Sequence, residues 1–138
     1  MRGVAVEIPE DVRSFLEQPN PAVMATLAKD GRPVSVVTWY LLEPDGSVLL
    51  NLDSDRVRLR HLRRDPRIAL TVLDEADWGS HVSLQLSVDT VTEDADLSDI
   101  DALATHYIGT PYPNRDRARV SARARIHSWH GWGRFASE

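Results

Sequence analysis

Six arginines, Arg56, Arg58, Arg60, Arg63, Arg64 and Arg67, fall within twelve residues of the stretch DRVRLRHLRRDPRIAL, in a chain whose formal net charge is −5. A guanidinium forms bidentate, charge-assisted hydrogen bonds to phosphate or carboxylate, so this block is a candidate anion clamp. Asp53, Ser54 or Asp55 is suited to cap a short helix running to about Asp65, and Pro66 would end it. At about 100° per residue, Arg56, Arg60, Arg63 and Arg64 share one sector, while Leu59 and Leu62 lie on the flank and back. Arg58 projects near Leu62, away from the other arginines. It must run its stem along apolar surface or meet an anion at the helix's inner edge. A solvated basic face with one snorkelling side chain fits the same residues. A nucleic-acid partner is not expected, because the chain is acidic, its aromatics lie elsewhere and no recognised motif is present.

The other groups capable of chemistry are fewer. Without cysteine there is no disulfide, thiolate metal site or thiol nucleophile. His127 and His130 are three apart in HSWH, and a regular strand would send them to opposite faces, so no metal is expected. His106 sits on the edge of a helical apolar stripe, and His81 opens a strand. His61, inside the arginine block, is the histidine whose neutral ring could contact a ligand and whose charge changes near neutral pH. The acidic run EDADLSDID lacks the spacing and glycine of a calcium loop and reads as first-turn charge for a helix. No Ser-His-Asp arrangement is apparent, which argues against hydrolysis.

These residues must be positioned by a small frame. A chain of 138 residues makes about one domain, spanning 1–138. No apolar run approaches the roughly 20 residues that cross a bilayer, and the N-terminus meets Glu7, Glu10 and Asp11 early, so a cytoplasmic protein with no membrane partner is expected. Residues 9 to 18 read as a helix with Val12, Phe15 and Leu16 on one face. Residues 22 to 28 and 34 to 42 read as a hairpin around Asp30-Gly31, and a second turn, EPDG, leads into residues 47 to 52. These strands are apolar on nearly every residue, as expected where both faces are covered. Residues 67 to 73 and 81 to 93 follow, the latter with Val82, Leu84, Leu86 and Val88 on one face. Residues 97 to 109 read as a helix with Ser98 as cap and Asp101 at the capping-box position. A last strand, ARVSARARIHSW, carries Arg119, Arg123 and Arg125 outward, charges that would suit a partner chain or an acidic ligand tail. Six antiparallel strands with short helices at the ends suggest a mainly β, α+β fold, a closed or nearly closed barrel.

The order of the hairpin MATLAKDGRPVSVVTWYLLEPDGSVLLNL, then RVRLRHLRRDPRIAL, DWGSHVSLQLSVDTVTED and HYIGTPYP, resembles the pyridoxamine-phosphate-oxidase-like split-barrel family over roughly residues 10 to 132. Within it, the chain is similar to the branch that uses the deazaflavin coenzyme F420. The family's helix pattern R-x-K-x-R-N-L-x-x-D-P-R appears as Arg56, Arg58, Arg60, His61, Leu62, Asp65, Pro66 and Arg67. Arg58 replaces the usual Lys and His61 the usual Asn. The resemblance implies a six-stranded antiparallel split β-barrel and a homodimer with the cofactor in its interface groove. It implies that Arg56 and Arg58 hold the cofactor's phosphate. Ser35, Val36, Val37 and Thr38, with Leu50, Asn51 and Leu52, would line the ring, and Trp78 would stand near the groove. The expected activity is an F420-dependent oxidoreductase delivering hydride to a conjugated small molecule, with the proton coming from solvent or a nearby side chain. Alternatives are an enzyme of the same fold using FMN, and a non-catalytic module binding a cofactor or a tetrapyrrole.

Overall fold

The computed structural model describes residues 6–136. Its strands are β1 (Ala22–Leu27), β2 (Pro33–Thr38), β3 (Leu41–Leu42), β4 (Val48–Asp53), β5 (Arg67–Leu73), β6 (His81–Glu93) and β7 (Arg119–Trp132). The helices are α1 (Glu10–Leu16), α2 (Val57–Arg64) and α3 (Ser98–Ile108), and a 3-10 turn spans Gly133–Phe135. None of the described helices is long and apolar enough to cross a membrane.

All seven strands belong to one antiparallel sheet ordered β2-β1-β5-β6-β7-β4-β3. The two end strands, β2 and β3, are consecutive in the chain, with only Trp39 and Tyr40 between them. Three peptide units reach about 11 Å at most, so the open ladder must curl until its edges approach. The result is a split barrel of seven strands, which corrects the expected six. The strand foreseen over residues 34 to 42 breaks because Tyr40 turns into the core. Its hydroxyl donates to the Leu16 carbonyl at 2.7 Å, and its backbone N–H donates to the Tyr107 hydroxyl at 3.3 Å. Burial, with Tyr107 beside it, pushes the Tyr40 hydroxyl far above its ordinary pKa, so it remains a donor. Trp39 stacks on Tyr107 with centroids 5.2 Å apart.

Every residue of β4 is buried. Val48, Leu50 and Leu52 enter the main core with Met24, Leu70, Leu84 and Phe15, while Leu49 on the opposite face meets Ile100 and Leu103 of α3. Only β4 thus fulfils the expectation of two covered faces in full. Along β2 burial alternates between exposed and intermediate, because nothing among the described residues covers its outer side.

The N-terminus of α3 is capped otherwise than expected. The Ser98 side chain makes no cap; the buried Asp94 carboxylate accepts the backbone N–H groups of Asp99 at 3.1 Å and Ile100 at 2.9 Å. Asp101 instead accepts the Tyr112 N–H and pairs with Arg115, pinning the loop that follows the helix. Leu97 takes a left-handed φ of 61° to bring Asp94 round.

The β6–β7 ribbon holds two register shifts, with Asp89 and His127 as the extra residues. Each is a bulge that locally reverses the alternation. His127 and His130 are therefore both exposed rather than on opposite faces, and no metal-binding group of three side chains exists among the described residues.

Past β7 the chain folds back on itself closely. A Cβ on Gly131 would lie 2.1 Å from the Phe135 carbonyl oxygen and 2.7 Å from its carbon, both backbone atoms that cannot give way. Gly131→Ala is expected to destabilise the protein by about 3 kcal/mol, read as a lowered urea midpoint with an unchanged slope.

Candidate functional site

Helix α2 starts where β4 leaves the sheet. The Arg56 N–H donates to the Asp53 carbonyl at 3.0 Å, and the Leu59 N–H donates to the Arg56 carbonyl at 3.1 Å. Leu59, His61 and Leu62 form its buried face. Asp53, Ser54 and Asp55 do not cap it: the helix has no side-chain cap and no acidic residue in its first turn. Asp53 and Asp55 are engaged instead by Arg117, at 2.9 and 3.2 Å. The first amides of α2 are left with their positive end exposed to a ligand.

Of the six arginines in the block, Arg67 pairs with Asp65 at 2.7 Å. Among the described residues, Arg56, Arg58, Arg60, Arg63 and Arg64 have no carboxylate within salt-bridge distance. Arg58 is half-buried, as its direction on the helix requires, and its Nη1 rests 3.8 Å from the sulfur of Met24, a weak acceptor. Burial, then the charges of Arg56 and Arg119, hold the Arg58 guanidinium below its ordinary pKa. It remains protonated at any neutral pH, so the site carries uncompensated positive charge.

Arg119 is the member that sequence reasoning grouped differently. Of the three outward arginines of β7, Arg123 is tied to Glu43 at 2.9 Å and Asp99 at 3.3 Å, and Arg125 to Asp89 at 2.5 Å. Both are ion-paired within the chain. Arg119 alone of the three has no carboxylate partner; its Nε donates to the Asn51 side-chain carbonyl at 2.6 Å, and its guanidinium lies 4.8 Å over the Tyr112 ring. A groove of about 540 Å³ beside it is lined by Ser54, Leu59, Arg63, Arg117 and Asp94 among others.

The remaining expected site residues are placed as follows. Leu50 and Leu52 are 1% exposed, their side chains packed in the core, as the two covered faces of β4 require. Asn51 is buried as well, and its amide is fully used: Nδ2 donates to Asp94 at 3.0 Å and Ser121 at 3.1 Å, while Oδ1 holds Arg119. His61 is 5% exposed, and its Nδ1 shares a 2.8 Å hydrogen bond with the Thr26 hydroxyl, so it docks α2 on β1 rather than facing a ligand. Ser35 and Val37 are exposed on the outer face of β2, whereas Val36 and Thr38 are half-buried. Trp78 is 74% exposed on the turn after β5. β5, seven residues or roughly 20 Å long, separates that turn from the end of α2 in the chain.

The fold has known counterparts. The model of the pyridoxamine 5'-phosphate oxidase family matches residues 8–133, and the chain belongs to that family. Three solved structures are similar to it in fold. An F420 reductase is 22% identical, with 88% of this chain and 98% of that one covered and a TM-score of 0.80. A conserved hypothetical protein from Mycobacterium tuberculosis is 21% identical, with 95% and 88% covered and a TM-score of 0.72. General Stress Protein 26 from Bacillus anthracis is 13% identical, with 89% and 92% covered and a TM-score of 0.65. No curated protein matches the sequence.

His61→Leu leaves the buried Thr26 hydroxyl without its partner. The expected cost is about 1–3 kcal/mol of stability, measured by urea unfolding.

Proposed function

We propose that this chain is an F420-dependent reductase, passing hydride from the reduced deazaflavin to a conjugated, electron-poor small molecule such as an enone, a quinone or a biliverdin-like tetrapyrrole. The observation that carries the reading is the half-buried, carboxylate-free guanidinium of Arg58 beside Arg56 at an uncapped helix start. A half-buried guanidinium with a like charge beside it costs free energy, and a phosphate bound there offsets that cost. Family membership and the fold shared with an F420 reductase support the same direction. Bound F420 supplies the hydride-bearing carbon. The chain's part is to bind and orient: Arg56 and Arg58 take the phosphate, and the exposed side of β2, at Ser35 and Val37, offers a surface for the ring.

The working form in this reading is a homodimer with the cofactor in the groove between subunits. Two features of the outer sheet face support it. Val37 is 77% exposed, and an apolar groove of about 380 Å³ is lined by Ala25, Leu27, Pro33, Ile68 and Ala69. Contiguous apolar surface of this kind marks an interaction site.

FMN also offers a phosphate to these guanidiniums, and Arg58 in place of lysine is the observation in its favour, since a planar fork suits a phosphate monoester bidentately. Parallel titrations with F420 and FMN separate the two readings. Reduced F420 is expected to turn over at least one member of a panel of enones, quinones, nitroaromatics and biliverdin; no turnover, with tight FMN binding, would transfer the proposal to FMN.

Arg58→Ala is expected to weaken F420 binding by about 10- to 100-fold, the loss of a charged hydrogen bond, read by fluorescence titration. Sedimentation at micromolar concentration is expected to give a dimer, and Val37→Asp to shift it toward monomer. A wild-type monomer would remove the interface groove.

A further inference from the structure

Arg119 has the features of a ligand-binding guanidinium, although it is 61 residues from Arg58 in sequence and lies on a different element. Its Nε is spent on the Asn51 carbonyl at 2.6 Å and one face is covered by the Tyr112 ring, which leaves Nη1 and Nη2 with no hydrogen-bond partner among the described residues. β4 and β7 pair so that Arg119 stands opposite Asp53, the residue whose carbonyl receives the Arg56 N–H at the start of α2. The Ser54 N–H bonds the neighbouring Ala118 carbonyl at 3.0 Å, which locks the two segments together. Arg119 thus reaches the same corner as Arg56 and Arg58, and its charge is one of those that depress the Arg58 pKa.

Asn51 explains why the guanidinium is aimed there. It is buried, and its amide is held by Asp94 and Ser121, so its carbonyl oxygen cannot rotate away. Asp94 is fixed in turn by the first amides of α3. A chain of satisfied buried hydrogen bonds therefore runs from the start of α3 through Asn51 to Arg119, and such a network sets a single orientation. An arginine needed only to cover Tyr112 would not require a buried amide to fix its Nε, nor a position beside two other unpaired cations.

We propose that Arg119 is a third phosphate-binding residue of the α2 site and that Asn51 is its positioning residue. The proposal rests on the reading of this corner as the seat of a phosphate-bearing cofactor, but not on the cofactor being F420.

The test compares ligands with and without phosphate. Wild-type protein, Arg119→Gln and Arg119→Lys are titrated by fluorescence with F420 and its phosphate-free deazaflavin nucleoside, and with FMN and riboflavin. Thermal stabilisation by inorganic pyrophosphate is measured in parallel. Arg119→Gln is expected to weaken the phosphate-bearing ligand at least tenfold while changing the phosphate-free one by less than twofold, with partial recovery in Arg119→Lys. It is also expected to lose the pyrophosphate stabilisation. Equal weakening of both ligand types would make Arg119 a structural residue and overturn the proposal, as would an unchanged affinity for the phosphate-bearing ligand. If the wild type takes FMN or pyrophosphate but not F420, the F420 reading fails and the Arg119 assignment is decided on the ligand that binds. If it takes none of the three, both fail.

Discussion

Two residues of backbone tie together the opposite edges of a seven-stranded sheet, and most of the architecture follows from that constraint. Trp39 and Tyr40 must cross from the β1 side to the β4 side in one step. The crossing is held by Tyr40, whose hydroxyl closes on the end of α1, and by Trp39, which lies on Tyr107 of α3. Both helices are thereby fixed to the seam of the barrel. With the seam fixed, β4 is enclosed between the core and α3, and the chain leaving β4 must emerge at one corner, where α2 begins. The location of the arginine helix is a consequence of how the barrel closes.

Charge is distributed with the same economy. Arg117, Arg123, Arg125 and Arg134 each meet a carboxylate that the fold brings from more than thirty residues away. Such exposed pairs contribute little individually to stability, yet they remove those cations from the pool available to a ligand. What remains unmatched is concentrated on α2 and at Arg119. The acidic composition and the basic stretch are thus compatible: carboxylates neutralise Arg123 and Arg125 of β7 and Arg115 and Arg117 of its preceding loop while leaving Arg119 and the arginines at α2 alone.

Much of the fold was legible in the sequence because its signals are local. The strict alternation of VSLQLSV located β6, and the apolar stripe Ile100, Leu103, Tyr107 located α3 within a residue of its ends. What escaped depends on distant contacts. Residues 34 to 42 are uniformly β-prone, and nothing nearby announces that Tyr107, 67 residues from Tyr40, will break them. Ser98 and Asp101 satisfy a local capping rule, but Asp94 takes the role because the preceding turn swings its carboxylate under the helix. The bulges at Asp89 and His127 put polar residues where polar residues were already expected, and so left no trace in the pattern. At the candidate site the odd direction of Arg58 could be read from the helical wheel. Which β7 arginine stays unpaired could not, because Glu43, Asp99 and Asp89 find their partners only in the folded chain. The burial of the Leu50, Leu52 and His61 side chains escaped for a related reason: enclosure of β4 and docking of α2 on β1 are tertiary properties.

Arg56 and the four arginines of α2, which have no carboxylate partner among the described residues, also shape the molecule at long range. Taking five positive charges from a chain of net −5 leaves −10 on everything else, so one flank is cationic and the remainder strongly anionic. A diffusing polyanion is turned away over most of its approaches and drawn in over one, and such steering raises the encounter rate at low ionic strength and fades as salt screens the field.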